Sequence, residues 1–214
     1  MPRAAAAAES NAESRERILG AALEIFSQQG FEGAKTRDIA ARAGVTLGLL
    51  QYYFGSKPKL WEAAVDLAFA ELEKSLEGVV SDPSLADDAE RMRALLRGYV
   101  HFVARRPQFV RLMHDEGKRR GPRARWLADR HEKPLYQQLA ALIEAAQAEG
   151  LLVPEVAPAH LVYALVGAAD GIFHQSEECK RVTGVDPASD EAVANHTRAV
   201  EALLLGAPSP EEPA

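Results

Sequence analysis

The hydrophobic positions along the first quarter of the chain repeat with the spacing of α-helices. In the first helix the apolar residues fall at i, i+3, i+4, i+7 and i+8 and form one stripe: Ile18, Ala21, Ala22, Ile25 and Phe26. Gly30 is placed to end this helix in a left-handed conformation. Two short helices follow, with Thr36 and Thr46 as predicted N-caps, and a fourth, longer helix runs from Ser56 to about residue 80.

The same spacing predicts five further helices, so that the whole chain has about nine. They cover residues 92–103, 109–113, about 123–148, a stretch that begins at Pro158, and 193–204. Pro134 lies within the seventh helix and should kink it or mark a late start. Residues 161–173 of the eighth helix are apolar nearly all round, so we expect it to be buried on most sides. Residues 176–189 are polar and predict a loop. Neither strand alternation nor a repeat of fixed period is present, and the predicted fold class is all-α.

The two ends of the chain and its cysteine content narrow the class of protein further. Residues 1–13 and 207–214 lack an apolar period, which predicts a disordered arm and a disordered tail. There is no run of 18 apolar residues that would cross a membrane, and the N-terminus lacks the apolar segment of a signal peptide. With Cys179 as the single cysteine among 214 residues, an intrachain disulfide and a cysteine-based zinc site are excluded. A reducing cytoplasm is therefore the expected location.

The chain has a net charge of −6, and its charged residues are distributed unevenly along the sequence. Residues 14–60 carry seven basic and four acidic side chains, whereas residues 61–214 have a net charge of −8. A basic head on an acidic body indicates that a polyanion binds at the head. An excess of three positive charges is weak evidence on its own, so the interpretation depends on the motif that the head contains.

Residues 36–54 have the anatomy of a helix-turn-helix, with two short helices joined by a turn at Gly44-Val45-Thr46. Gly44 gives the turn its backbone freedom. The second helix of such a motif lies in the major groove with its N-terminal side chains at the base edges. Base contacts are therefore expected from Thr46, Leu47, Gly48 and Gln51, of which Gln51 can pair with adenine through two hydrogen bonds. Phosphate contacts are expected from Tyr52, Tyr53 and Lys57, and from Thr36 and Arg37 at a helix start.

Four groups of residues between positions 15 and 60 carry a family resemblance. They are Gly30-Phe31 after the first apolar stripe, Thr36-xx-Ile39-Ala40-xx-Ala43-Gly44-Val45-Thr46, Gly48-x-Leu50-x-Tyr52-Tyr53-Phe54, and Lys57-xx-Leu60. In these positions the chain resembles the TetR/AcrR family of bacterial transcriptional regulators. Gln51 departs from the family, which often has tyrosine there. Pro58-Lys59 replaces the more usual Glu-Glu, and Lys59 either adds phosphate attraction or is a solvated surface lysine.

The resemblance implies that the chain has two domains with different functions. Residues 14–60 would form a three-helix DNA-binding domain, and residues 61–206 a helical domain for effector binding and dimerisation. A homodimer through the helices near 158–175 and 190–205 would bind double-stranded DNA at an inverted-repeat operator. The apolar eighth helix is an independent sign of that dimer, unless it is buried wholly within one subunit. The implied function is a repressor that a small organic effector releases; a ligand-dependent activator is the alternative.

The same resemblance implies an effector cavity inside helices four to eight. The candidate side chains are bulky or polar groups on otherwise apolar faces: Tyr99, Phe102, Met113, Glu116, Trp126, Arg130, Asp170, Phe173 and His174. Aromatic rings with a few polar groups suit a mid-sized organic molecule. An effector bound there would shift the fourth helix and favour a state with weaker DNA affinity.

Two kinds of reactive site have partial support in the sequence. Asp170 and His174 could share a helix face as metal ligands, but a third ligand such as His101 would be needed. The consecutive His114-Asp115-Glu116 point in different directions on a helix. Neither a metal nor a cofactor is therefore expected. Cys179 beside two basic residues could be a thiol sensor, although a single cysteine allows only intermolecular or small-molecule disulfides.

An enzyme and a scaffold are the remaining alternatives. The sequence has no Gly-x-Ser-x-Gly, His-Glu-x-x-His or glycine-rich phosphate loop, so nothing in it indicates catalysis. An all-α scaffold would share the helical periodicity but would not need the threonines, tyrosines and Lys57 in this arrangement. Salt-sensitive DNA binding separates a regulator from a scaffold.

Overall fold

The computed structural model describes residues 2–80 and 88–205 together with residues 82 and 85, and every regular element in them is helical. The elements are α1 (Pro2–Gly33), α2 (Thr36–Arg42), α3 (Leu47–Phe54), α4 (Lys57–Val80), α5 (Asp88–Arg105), α6 (Pro107–Gly117), α7 (Pro122–Leu127), a π-helical turn (Ala128–Glu132), α8 (Lys133–Ala148), α9 (Pro158–His174), α10 (Ser176–Thr183) and α11 (Asp190–Leu205). The predicted all-α fold class is confirmed. The predicted tail, residues 207–214, lies outside the described residues.

Helix α1 is longer than predicted at its N-terminal end and is interrupted near its C-terminal end. It begins at Pro2, whereas the sequence predicts a disordered arm over residues 1–13. Residues 4–8 are all alanine, the best helix former, which explains why the helix extends backwards from its apolar stripe. Gly30 has φ 67° and ψ 171°, so the helical path breaks where the sequence predicts its end and resumes briefly to Gly33.

Two departures raise the number of α-helices in the described residues from about nine to eleven. The predicted seventh helix is divided by the π turn, in which the N–H of Lys133 donates to the carbonyl of Ala128, five residues back. Pro134, which has no N–H to donate, follows in the first turn of α8, so the predicted irregularity at this proline is confirmed.

The second departure is α10, because the sequence predicts a loop over residues 176–189. Helix α10 buries none of its residues, so no apolar stripe marks it in the sequence. Its first turn carries Glu177 and Glu178, and its last turn carries Lys180 and Arg181. Acidic side chains near a helix N-terminus and basic ones near the C-terminus interact favourably with the helix dipole, which stabilises this polar surface helix.

The described residues form two compact units. The first unit reaches Glu71 and includes Arg111–Arg119, and the second comprises Leu72–Val110 and the chain from Arg120 onwards. The sequence predicts a domain boundary after residue 60, whereas these units divide within α4. The early turns of α4 contribute Leu60, Trp61, Ala64 and Val65 to buried positions, which is why they belong with the first unit.

The core of the first unit combines the apolar stripes of its helices. Its largest fully buried side chains are Trp61, Phe26, Ile18, Leu19, Ile39, Leu60 and Leu112. Burial of a large apolar side chain contributes about 1.5–3 kcal/mol, so each of these residues contributes substantially to the stability of the unit. On its surface Arg42 of α2 pairs with Glu24 of α1, and Arg42 Nε lies 2.9 Å from Glu24 Oε2.

The second unit packs α5, α9 and α11 against one another. Buried apolar side chains come from all three helices and include Leu96, Val100, Val103, Val162, Ala169, Phe173 and Val200. The prediction that α9 is buried on most sides is wrong for the single chain. Tyr163 is 78 % exposed, and Ala164 and Gly167 are also exposed. Burial within one protomer therefore does not account for the apolar character of this helix.

Candidate nucleic-acid interface and effector-binding residues

Helices α2 and α3 form the helix-turn-helix that the sequence predicts. The turn between them has Gly44 at φ 65°, and the N–H of Val45 donates to the carbonyl of Ala40 at 3.0 Å. Thr46 is the N-cap of α3, since its side chain accepts a hydrogen bond from the N–H of Leu49 at 3.2 Å. Thr36 is not an N-cap as predicted; it is the first residue of α2, and Lys35 precedes it in an extended conformation.

Replacement of Gly44 by alanine is expected to destabilise the first unit. A side chain at φ 65° brings Cβ against the following carbonyl, so Gly44→Ala should lower the free energy of unfolding by about 1–2 kcal/mol. Urea unfolding measures the change. Gly48→Ala is a matched control because Gly48 lies inside α3 with room for a Cβ, and it should retain at least wild-type stability. A Gly44→Ala variant as stable as the wild type would contradict the argument.

The four residues predicted to read base edges lie at the N-cap and in the first two turns of α3. Thr46, Gly48 and Gln51 are exposed and Leu47 is half-exposed, whereas Leu50 and Phe54 anchor the opposite face in the core. This arrangement gives α3 one free face that combines a hydroxyl, a carboxamide and an aliphatic group. These are the chemical types that hydrogen-bond to base edges and contact thymine methyl groups.

The five predicted phosphate contacts fall into two sets. Thr36, Arg37 and Lys57 line one groove of about 470 Å³, together with Leu47, the first residue of α3, and the carboxylate of Asp38. Lys35 also lines this groove and was not singled out from the sequence. Its position next to Thr36 was the available signal, since a basic side chain before a helix that approaches phosphate is a natural contact.

The second set consists of two adjacent tyrosines at the end of α3. Tyr52 is 81 % exposed, and its ring centroid lies 5.5 Å from that of Tyr53. The hydroxyl of Tyr53 donates to the side-chain oxygen of Asn11 on α1 at 2.9 Å. Nothing in the sequence pattern pointed to Asn11, because this contact joins residues 42 positions apart. The exposed Tyr52 hydroxyl and the tethered Tyr53 hydroxyl can both donate to phosphate oxygen after modest rearrangement.

The nine predicted effector contacts are divided between the two units. Met113 and Glu116 belong to the first unit, and the other seven belong to the second: Tyr99, Phe102, Trp126, Arg130, Asp170, Phe173 and His174. Arg130 is exposed on the π turn, whereas Glu116 and Asp170 are charged residues with only 3 % and 4 % exposure. Burial of a carboxylate is costly unless the group is paired with a hydrogen-bond donor or a cation. Both side chains are therefore expected to have polar partners.

Asp170 lies near enough to Tyr99 to influence its ionisation. Burial of the Tyr99 hydroxyl, and secondarily the negative charge of Asp170, raise the pKa of this phenol far above its usual value. Tyr99 is therefore a neutral hydrogen-bonding group at any physiological pH. Further along the chain, burial also raises the pKa of the Glu132 carboxyl at the end of the π turn. The ring of Phe173 meets His196 edge-on at 5.5 Å, and His196 Nε2 lies 3.2 Å from the carbonyl oxygen of Ala169.

The structure also bears on the metal site and the thiol sensor considered from the sequence. Among the residues it describes, no three His, Cys, Asp or Glu side chains are grouped so that they could hold a metal ion. Within the same part of the chain, no helix has both the length and the apolar character needed to cross a membrane. Cys179 lies on α10 rather than in the predicted loop, with its Sγ 3.5 Å from the Thr183 hydroxyl. It lines an open groove of about 300 Å³ between α9 and α10.

Comparison with known families assigns both halves of the chain. Residues 18–64 match the family described as bacterial regulatory proteins, tetR family. Residues 89–203 match a family described as tetracyclin repressor-like, C-terminal domain. The second match alone covers more than half of the 214 residues.

Two curated relatives extend over most of the chain. The HTH-type transcriptional repressor NicS of Pseudomonas putida is 27 % identical over 197 residues, which covers 90 % of this chain and 91 % of the relative. The HTH-type transcriptional regulator RutR of Escherichia coli is 29 % identical over 184 residues, covering 84 % and 82 %. Both names describe DNA-binding regulators of the predicted class.

Two solved structures share the fold. AibR in complex with isovaleryl coenzyme A and operator DNA has a TM-score of 0.73 at 20 % identity, covering 90 % of this chain and 98 % of AibR. The fatty acid degradation regulator FadR from Bacillus halodurans has a TM-score of 0.69 at 18 % identity, covering 90 % and 95 %. At these identities the similarity establishes the fold.

Proposed function

Because the chain belongs to the TetR family of bacterial regulatory proteins, we propose that it is a homodimeric transcriptional repressor that a small organic effector releases from an inverted-repeat operator. The observation that carries the proposal is the free N-terminal face of α3 beside the basic groove. The groove has three basic side chains against the one carboxylate of Asp38, an excess of positive charge for phosphates, and α3 supplies Leu47 and Gln51 for base edges. A protein that acts on the chromosome in this way works in the cytoplasm.

The proposed roles follow the order of the chain. Residues 14–60 would bind DNA, with base contacts from Thr46, Leu47, Gly48 and Gln51 and phosphate contacts from Thr36, Arg37, Tyr52, Tyr53 and Lys57. Residues 61–206 would dimerise and bind the effector. Repression is the favoured direction of control because NicS, which matches nearly the whole chain, is named a repressor.

The dimer is supported by apolar surface on two neighbouring helices. Helices α9 and α11 pack side by side, and each exposes a large apolar side chain, Tyr163 and Leu203, that is 78 % accessible. We infer that Tyr163 and Leu203 belong to one apolar patch, of the kind that marks an interaction site on a protein surface. A second copy that presents the same two helices would cover this surface through a twofold interface.

The effector is proposed to bind within the second unit near Tyr99, Phe102, Asp170 and Phe173. Phe102 and Phe173 supply phenyl rings, Tyr99 a neutral phenol and Asp170 a carboxylate. This combination suits an organic molecule with a polar group. The fold relative AibR was crystallised with isovaleryl coenzyme A and operator DNA together, so a protein of this fold accepts both kinds of ligand.

The decisive experiment is selection of bound sequences from a random pool of duplex DNA with the purified protein. We expect an enriched inverted repeat whose half-sites lie about one helical turn apart or somewhat further. A reporter gene behind the recovered site should be repressed by the protein. No enrichment, together with no DNA binding at low salt, would overturn the proposal and favour an all-α scaffold.

Replacement of Lys57 by alanine is expected to weaken binding to all DNA sequences alike. A phosphate contact carries no sequence information, and its loss reduces the number of counterions that binding releases. The slope of log affinity against log salt concentration should therefore flatten by about one unit for each Lys57 that contacts a phosphate. Titrations of operator and random duplexes at several salt concentrations measure both quantities. An unchanged slope would remove Lys57 from the phosphate contacts.

A further inference from the structure

Two neighbours hold the ammonium group of Lys57 in place. Its Nζ lies 4.7 Å from the centroid of the Phe31 ring and donates a hydrogen bond to the carbonyl oxygen of Glu32 at 3.3 Å. A free lysine side chain is among the most flexible, and fixing it has an entropic cost. In this protein the side-chain entropy of Lys57 is lost on folding, before any ligand binds. The ammonium group still has two N–H donors for another partner.

The ring of Phe31 is itself anchored to the core of the first unit. It stacks on Phe26 with a centroid distance of 5.9 Å and an interplanar angle of 13°, and it meets the edge of Trp61 at 6.4 Å. Phe26 is 1 % exposed and Trp61 is fully buried. The kink at Gly30 directly precedes Phe31, so the placement of the ring depends on a backbone conformation that favours glycine.

The choice of an aromatic ring as the support has a chemical consequence. A ring face attracts a cation through its quadrupole and leaves the positive charge intact. A carboxylate in the same place would neutralise that charge and compete with a phosphate for it. The held ammonium lines the groove with Lys35, Arg37 and the carboxylate of Asp38, so the groove keeps an excess of positive charge where the proposed DNA phosphate would arrive.

We propose that Phe31 is a positioning residue for DNA binding, which fixes the Lys57 ammonium at the groove through its ring face and with the help of the Glu32 carbonyl oxygen. The proposal rests on the DNA-binding function proposed above. Phe31 itself makes no contact with DNA; it lowers the loss of side-chain freedom that Lys57 would otherwise suffer on meeting a phosphate.

The test is a double-mutant cycle of Phe31→Leu and Lys57→Ala on the duplex recovered by selection. Each half-site should lose about two- to fivefold in affinity with Phe31→Leu, so the dimer should lose about 4- to 25-fold. The salt slope should stay at its wild-type value, because Lys57 still reaches the phosphate. In the Lys57→Ala background, Phe31→Leu should change affinity by less than about twofold. Lys74→Ala, at an exposed position of α4 outside the groove, controls for the loss of a positive charge.

Two shape-conserving variants separate positioning from packing. Phe31→Tyr keeps the ring face and should bind as the wild type does, whereas a ring-fluorinated phenylalanine at position 31 keeps the shape, weakens the quadrupole and should bind less tightly. Equal losses from Phe31→Leu in both backgrounds, or wild-type affinity of the fluorinated protein, would overturn the positioning role while DNA binding stands. Absence of salt-dependent DNA binding by the wild-type protein would instead overturn the proposed function.

Discussion

Replacement of Leu203 by glutamate should convert the dimer into a folded monomer and weaken operator binding by about 100-fold or more. Leu203 is 78 % exposed in the single chain, so the change leaves the core of the protomer intact. In the proposed dimer the same position is covered, and an unpaired carboxylate there would have to lose its hydration. In a monomer, each DNA-binding domain binds its half-site independently. The gain in affinity that comes from linking two such domains is then lost.

Sedimentation equilibrium and operator titration measure the two effects on the same sample. Tyr163→Glu on α9 should reproduce both, because its side chain is equally exposed on the neighbouring helix. Val153→Glu is the matched control: it introduces the same charge at an apolar position that is 53 % exposed between α8 and α9, and it should leave the dimer unchanged. A Leu203→Glu protein that remains dimeric would place the subunit interface elsewhere.

Replacement of Gln51 by alanine should change which sequence is bound. Its carboxamide is exposed on the second turn of α3, and a bidentate pair with adenine is worth about 1–3 kcal/mol of discrimination at one base pair. Selection with Gln51→Ala should therefore lose the preference at one position in each half-site and keep the rest of the motif.

The contrast with Lys57→Ala makes this prediction specific. That variant should bind every duplex more weakly with the motif unchanged, whereas Gln51→Ala should bind random duplexes as the wild type does. If selection with Gln51→Ala returned the wild-type motif, the base-reading role of Gln51 would be wrong. Circular dichroism should show equal helix content, since the side chain makes no packing contribution on the exposed face.

The sequence predicted the first unit well because its signals are local. Each helix from α1 to α4 combines an apolar stripe with a cap or glycine, and the left-handed Gly44 and the N-cap Thr46 are found where the pattern places them. Two of the errors come from features with no apolar period. Helix α10 buries none of its residues, and the start of α1 is explained by the helix propensity of its alanines.

The two candidate sites differ in predictability for a physical reason. The proposed DNA contacts lie within 22 consecutive residues, so secondary structure alone brings them together. The proposed effector contacts come from four helices and the π turn, and their grouping depends on tertiary packing that periodicity does not encode. The contacts of Tyr53 with Asn11 and of Lys57 with Phe31 also join separate helices, so the periodicity of each helix could not predict them.

The π turn at Ala128–Glu132 behaves as a single-residue insertion in a helix that would otherwise run from Pro122 to Ala148. The wider π turn absorbs the extra residue, so the chain leaves it facing about the same way as it would in an uninterrupted α-helix. Leu127 before the turn and Ile143 after it are both buried, so the turn keeps the two faces directed at the core in spite of the insertion. Removal of one residue from this turn should therefore give one continuous α-helix that buries the same face of α8, whereas removal of a residue elsewhere along the helix would rotate the part beyond it by about 100°. A change of length by one residue is best tolerated in this turn.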